Sequence, residues 1–443
     1  MALAIRLAVI PFVIGATLDP DRDHWNFGWE EGRIARSIAA GEGFSSPLFG
    51  KTGPTAWTTP VYPGLLAGVF RLFGSYSRES AWIILALNAV FSALTCVPVY
   101  FVAARCFGPK AAAWAAWLWA FFPYAIYLAS SFVWGYCLDA LLMALILWAT
   151  LEIEERSDLG VWSAYGLLWA FAALTNPVIL STLPPLLAWV LWQRHKRHLS
   201  PGFSRVAIAM LSLTIAIAPW FLRNYKTFGH IVPFRGTFWM IFWESNTGDT
   251  SDLYPDWTNP AHNDGEMQQY RTMGEAAYVL EKRRLSLEFL RGNPALYLWL
   301  TVKRFIFTWT GFWSLRSDYL AREPFAFANI AMCSALTLLM FLGIRGGLRA
   351  ASPYMVPLAL VLVCYPTVYY LTHPGVEYRH PVDPVVVAFA GMFLSTISVP
   401  RKGWTSSLAV DSMRFPVAID TKSNQVVQDI VPKSAPRFDV MDL

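Results

Sequence analysis

The feature that most constrains this chain is its series of long, nearly uncharged apolar runs. Ala111–Leu128, Ser131–Leu151 and Ala326–Ile344 are three of them. As helices rising about 1.5 Å per residue, each is long enough to cross roughly 30 Å of hydrocarbon. One such run could be the core helix of a soluble protein, but this many cannot. Composition agrees: 55% of residues are apolar and 15% charged, against roughly 45–50% and 25% in soluble domains. The chain therefore reads as an all-α polytopic membrane protein. The 21 Trp and 18 Tyr suit aromatic belts at the two bilayer surfaces.

Candidate crossings fall at 3–18, 81–104, 111–128, 132–151, 161–176, 178–192, 205–222, 326–344, 353–371 and 382–399. Met1–Leu18 has a poor cleavage site in Thr17-Leu18-Asp19 and reads as an uncleaved first span. Arg194, Lys196, Arg197 and Arg205 form one basic connection, Arg345 and Arg349 another, and Arg401 and Lys402 follow the last span. All three belong on the cytoplasmic side. Leu296–Trp313 is apolar but carries Lys303 and Arg304 at its middle. A central charge costs at least ~2.5–3.5 kcal/mol, so this segment is expected to lie flat on the outer surface or dip in only partly. About ten crossings result, in a single domain over residues 1–400. Its outer loops are 19–80, 223–325 and 372–380, and a polar tail at 401–443 is expected to be disordered in the cytoplasm. The five cysteines form no CxxC pair and read as small packing residues. The net charge of +5 is accounted for by cytoplasmic loops and makes no case for nucleic acid. No internal repeat is visible, which weakens a transporter reading.

The polar exception is HWNFGWEEGRIARSIAAGEGFSSP, His24 to Pro47, directly after the first span. Glu30 to Ala40 reads as a short helix, with Asn26 as its cap and Gly41 as its stop. Glu30, Ile34 and Ile38 share one face, and the helix is expected to lie in the headgroup region with the isoleucines down. Pro60–Gly74 reads as a second interfacial helix, started by a proline and stopped by a glycine. Glu30 or Glu31 can serve as a general base, its pKa raised beside lipid; an ordinary solvated loop is the competing reading. Asp19, Asp21, Asp23 and Glu30 also stand at EF-hand positions 1, 3, 5 and 12. His24, however, occupies the place where that loop needs glycine.

The stretches EEGRIARSIAAGEGF and TTPVYPGLLAGVFRLFG, with PWFLRNYKTFGHIVPF from Pro219 and EYRHPVDP from Glu377, resemble a known family. They look like the membrane glycosyltransferases of the protein-mannosyltransferase and aminoarabinose-transferase type, which have the C-type glycosyltransferase fold. The resemblance implies a glycosyltransferase, hexosyl or pentosyl, acting at the outer membrane face. It would move a sugar from a polyprenyl-phosphate carrier to a lipid, glycan or protein acceptor with inversion. The implied base is Glu30, with Glu31 its neighbour and alternative; many relatives have Asp-Glu there. Thr58-Thr59 stand where some relatives carry charges, and a divalent metal ion is left open.

Such a reaction needs cations for the departing lipid phosphate. The outer segments supply Arg33, Arg36, Arg223, Lys226, Arg235, Lys303, Arg304, Arg379 and His380. The candidates singled out are Arg33, Arg223, Lys303, Arg304, Arg379 and His380, for which simple snorkelling is the alternative role. Trp57, Tyr62 and Tyr378 are candidate sugar or lipid contacts; otherwise they are belt anchors. Asn246, Asp249 and Asp252 read as turn residues. The location implied is a bacterial inner membrane with the site facing the periplasm, or else an organelle lumen. The competing functions are a flippase for a lipid-linked saccharide and a glycan polymerase or ligase.

Overall fold

A computed structural model describes residues 1–17, 27–199, 202–246, 258–311, 315, 317, 320, 325–350, 352–373 and 375–397. Asp19, Asp21, Asp23, Asp249, Asp252 and the tail from Arg401 lie outside the described residues. Within them the chain is helical, with a lone bridge between Ser45 and Pro54 and no strand.

The helices follow the apolar runs. After α1 (Ala2–Thr17) come two short outer helices, α2 (Trp29–Ala39) and α3 (Val61–Phe73). Next are α4 (Arg78–Leu94), α5 (Cys96–Phe107), α6 (Pro109–Phe121), α7 (Pro123–Ser131), α8 (Tyr136–Ile153) and α9 (Leu159–Thr175). A 3-10 turn at Pro177–Thr182 leads into α10 (Leu183–Lys196), followed by α11 (Phe203–Phe228). The long outer loop holds α12 (Phe238–Ser245), α13 (Asp264–Met273), α14 (Glu275–Gly292) and α15 (Pro294–Thr310). The chain then completes α16 (Ala326–Arg349), α17 (Met355–Leu371), α18 (Val376–Arg379) and α19 (Asp383–Ile397). Each expected crossing coincides with one of these helices or with two in tandem. Among the described residues, five helical stretches are long and apolar enough to cross a membrane, α4 with α5 counting as one and α18 with α19 as another, or six if the bent α6–α7 pair is one span. α1, α9 and α17 are shorter apolar helices.

The α6–α7 break, a bend of 44°, shows how a charge survives inside the bundle. Pro123 has no N–H and cannot continue the ladder of α6, so the Trp119 carbonyl loses its i+4 donor in an apolar setting and keeps only a 3.3 Å bond from the Phe122 N–H. The fully buried Arg6 of α1 fills that need: its guanidinium donates to the carbonyls of Trp119 at 3.1 Å and Ala120 at 3.0 Å. Its Nε donates to Ser92 at 2.8 Å. Buried side chains of α5–α11, α15–α17 and α19 form one core, with α6 and α16 packed against α19 and α9 against α11.

Helix α8 sets the scale of the bundle. Its last turn meets the basic connection: Arg197 pairs with Glu154 at 3.1 Å, and Arg194 donates to the Glu154 carbonyl at 2.8 Å. Its first turn carries Asp139. At 1.5 Å per residue those ends are roughly 22 Å apart. The basic loops and the acidic outer loop are thus at opposite ends of the bundle, as the positive-inside pattern requires.

Two expectations are corrected. The face of α2 with Ile34 is not turned to lipid. Ile34 is fully buried against Leu48, Trp57, Met240, Met267, Tyr270 and Tyr278, because the long outer loop folds back as a lid of helices over α2. The N-cap of α2 is Gly28, with φ +95° and no side-chain cap, in place of the expected Asn26, which lies outside the described residues. The described part of the segment at 296–313 forms a helix, α15, which ends at Thr310 and packs against α16 and α17. Arg304 is fully buried there, its charge met by the Ser245 carbonyl at 2.6 Å and Asn246 Oδ1 at 2.9 Å.

Candidate active site

The site grows from the start of α2. In Phe27-Gly28-Trp29 the chain turns sharply, with φ +95° at Gly28 and +43° at Trp29. A glycine takes the first value without strain, while a tryptophan is held in the second only by its surroundings. Trp29 is wedged against Phe132, ring centroids 5.0 Å apart, and Trp134, 5.8 Å apart. Gly32 completes the turn, since a Cβ there would collide with the Phe27 carbonyl. Glu30 and Glu31 therefore sit in the first turn, where the helix dipole favours carboxylates.

The two glutamates open into two adjoining cavities of about 270 and 340 Å³. Glu30 lines the first with Trp57, Glu244, Asn259 and Glu377. Glu31 lines the second with Thr58, Asp139, Asn176 and Tyr369. Trp134, Tyr136, Arg235, His373 and Tyr378 line both. Arg235 is therefore the cation at the seam. Its Nε donates to the Trp57 carbonyl at 3.1 Å.

The electrostatics follow from that geometry. Burial pushes the Glu30 carboxyl above its ordinary range; its own backbone N–H, Arg33, Arg235 and a hydrogen bond from the Trp57 side chain partly oppose the shift. Glu31 is raised further by burial, opposed by Arg235 and reinforced by the nearby Asp139 and Glu30 carboxyls. Burial, with Arg235 and Arg304 nearby, pushes His373 down to about 3, so it is a neutral imidazole. Asp139 accepts from Asn176 Nδ2 at 2.9 Å, and the same nitrogen reaches the Tyr365 hydroxyl at 3.2 Å.

The other expected residues are distributed unevenly. Trp57 lines the first cavity and Tyr378 lines both, its ring stacked on Tyr369 with centroids 4.8 Å apart. Arg33 is buried with its guanidinium 3.5 Å from the Phe49 ring centroid, and it contributes to the field at Glu30. Tyr62 is buried and donates to Asn88 at 3.1 Å. Arg223 clamps the first outer loop, donating to the carbonyls of Thr55 and Phe44, each at 2.6 Å. Arg379 is buried in an ion pair with Asp383 at 2.8 Å, and His380 meets the same carboxylate at 3.4 Å. Lys303 lies over Trp299. Of the six expected phosphate ligands, none lines either cavity. Arg235, Asp139, Asn176 and His373 were not singled out as site residues in the sequence. Only Arg235 gave a signal, as one of several basic residues in the long loop. Among the described residues, no group of three or more His, Cys, Asp or Glu is placed to hold a metal ion.

Residues 57–221 match the family model of the dolichyl-phosphate-mannose-protein mannosyltransferases. The match runs from Trp57 at the cavity wall through α3 to α10 and into α11, and it bears out the resemblance carried by the TTPVYPGLLAGVFRLFG stretch. No curated protein matches. Among solved structures, the Archaeoglobus fulgidus oligosaccharyltransferase, crystallised with Zn and sulfate, is 14% identical with a TM-score of 0.49. That alignment covers 83% of this chain and 44% of the other. The same organism's AglB, in complex with an inhibitory peptide and a dolichol-phosphate, is 13% identical over 83% and 46%, with a TM-score of 0.49. ArnT from Cupriavidus metallidurans, bound to undecaprenyl phosphate, is 15% identical over 89% and 76%, with a TM-score of 0.38. The chain spans less than half the length of these oligosaccharyltransferases.

Proposed function

We propose that this integral membrane protein is a glycosyltransferase that moves a hexosyl or pentosyl group from a polyprenyl-phosphate carrier to an acceptor at the outer membrane face. The observation that carries the reading is the pairing of Glu30 and Arg235 in one partly enclosed cavity. A base with a raised pKa stands beside a cation at the membrane end opposite the basic loops. The family match over residues 57–221 supports the same chemistry.

In this reading an acceptor hydroxyl or amine binds in the first cavity. Glu30 takes its proton as the acceptor atom forms a bond to the anomeric carbon. The bond from that carbon to the phosphate oxygen breaks, and its electron pair leaves with the polyprenyl phosphate. Arg235 stabilises the charge that develops on the leaving oxygen. Attack opposite the leaving group inverts the anomeric centre. Glu31 lines the second cavity and not the first, so Glu30 is the carboxylate placed to take the acceptor's proton. The periplasm of a bacterium is the setting proposed for the cavity mouth.

The test uses purified protein in liposomes, a panel of polyprenyl-phosphate sugars and a panel of acceptors, with polyprenyl phosphate followed by mass spectrometry. Release by the wild type and its loss in Glu30→Gln is the expected result. Movement of intact donor across the bilayer without release would overturn the reading in favour of a flippase.

A further inference from the structure

The second cavity is unbalanced in its hydrogen bonding. Glu31 and Asp139 are 5% and 4% exposed, and one oxygen of each, Glu31 Oε2 and Asp139 Oδ1, has no hydrogen-bond partner. The hydroxyl of Thr58, 2% exposed, is likewise unpartnered. Asn176, the amide donor in this wall, already gives its Nδ2 to Asp139 Oδ2 and to Tyr365. Buried polar atoms are normally satisfied, so each exception calls for a cause. Here three converge on one cavity.

What would satisfy them is a ligand rich in hydroxyl donors. Carboxylate oxygens accept hydrogen bonds and repel an ionised acid. The stacked rings of Tyr369 and Tyr378 add apolar surface in the same wall, suited to the C–H face of a sugar ring. The cavity's about 340 Å³ lies in the range of small-ligand sites. We propose that this cavity is the subsite for the transferred glycosyl ring, with Glu31 and Asp139 accepting from ring hydroxyls and selecting neutral sugars over uronic acids. Asp139 is then a specificity-determining residue for a reaction in which Glu30 is the base. The inference rests on the glycosyl-transfer reading for the identity of its ligand.

The experiment couples the hydroxyls of the donor to the carboxylates. Full-length wild type, Asp139→Asn, Glu31→Gln and Thr58→Val in liposomes receive a polyprenyl-phosphate neutral hexose, its monodeoxy analogues and its uronic acid counterpart. Two quantities are read: kcat/KM for release of polyprenyl phosphate, and binding of non-transferable phosphonate analogues by quenching of tryptophan fluorescence, since Trp134 lines the cavity. Removing a hydroxyl that bonds a charged group should weaken the wild type about 10- to 100-fold. The same removal should matter less than about threefold in the variant that has already lost the partner, because paired groups are not additive. The uronic acid donor should be rejected by the wild type and gain relative to the neutral donor in Asp139→Asn. Deoxy penalties of equal size in wild type and all three variants would overturn the subsite. Thr58→Val keeps that test open if a carboxylate variant fails to fold. Release of polyprenyl phosphate without such coupling would sink the subsite alone. Coupled binding of the phosphonates without any bond cleavage would sink the transfer reading and leave the subsite standing.

Discussion

The guanidinium of Arg235 is tied to the main chain of Trp57 through Nε, at 3.1 Å from the carbonyl oxygen. Thr237 donates to the same oxygen at 3.2 Å, and the Gly236 N–H donates to Ala56 at 2.8 Å. Residues 235–237 therefore run pinned along residues 56–57, two segments far apart in sequence. The cation between the cavities is fixed before any ligand arrives, which is what makes a charge effective in a transition state.

Arg235 thus carries the first prediction. Replacing it by alanine should lower kcat/KM for polyprenyl phosphate release by about 10²–10³. Lysine retains the charge and loses the planar fork, so Arg235→Lys should fall between alanine and wild type. Equal activity of wild type and Arg235→Ala would remove Arg235 from the chemistry and return attention to Arg33.

A second prediction concerns pH. Glu30 works only when ionised, and burial raises its pKa. Activity should therefore fall as pH drops through that raised value and level off above it. Arg235 lowers the Glu30 pKa, so its loss should move the acid limb of the kcat/KM profile toward higher pH. Glu30→Gln should abolish the limb and cost about two to four decades in turnover. An acid limb unmoved in Arg235→Ala would show that another group is titrating.

Glu275 supports a third. Its buried carboxylate accepts from the Thr55 hydroxyl, the Ala56 N–H at 2.7 Å and the Tyr270 hydroxyl at 2.9 Å. It thereby ties α14 to the segment that carries Trp57. Glu275→Ala strands these donors and should cost about 2–4 kcal/mol. Burial, the largest influence, raises the Glu275 pKa above 4.5. The folded state therefore holds this proton more tightly than the unfolded chain does. The resulting stabilisation is complete below the unfolded pKa and is lost as pH rises through the folded one. Glu275→Gln cannot titrate, so its thermal midpoint relative to wild type should rise with pH across that window. A midpoint difference that is flat with pH would refute the assignment.

How far the sequence carried this reading can be argued from particular residues. The spans were legible because lipid imposes one rule on every helix, and apolar runs record it directly. Glu30 and Glu31 stood out because charge is rare in this chain. Ile34 misled for a physical reason: an apolar face on a short helix looks the same whether it meets lipid or protein. What covers it is α12 to α14, more than 200 residues away in sequence. Arg223 and Arg379 were legible as interfacial cations, but not as partners of internal carbonyls and of Asp383. Asp139 gave no signal, since one carboxylate at the head of an apolar helix resembles any helix start. Only the fold brings it near Glu31.

The last prediction tests the packing that holds the cavity walls together. Gly343 of α16 faces the backbone of α19 so closely that a Cβ there would fall inside the van der Waals radius of the Phe389 carbonyl oxygen. A carbonyl cannot swing aside as a side chain can, so Gly343→Ala must push the two helices apart. Small residues permit such approach between membrane helices, and forcing in extra volume costs about 1–3 kcal/mol. The matched control is Gly15→Ala in α1, where a Cβ would meet nothing within 4 Å and better helix propensity should leave stability equal or slightly higher. In detergent, the temperature at which half the protein remains monodisperse should fall for Gly343→Ala and hold for Gly15→Ala. Since α19 begins at Asp383, the ion-pair partner of Arg379, and Arg379 adjoins Tyr378 of the cavity walls, spreading α16 from α19 should also weaken phosphonate binding in the cavities. A Gly343→Ala protein as heat-stable as the control would mean that α16 and α19 do not pack this closely.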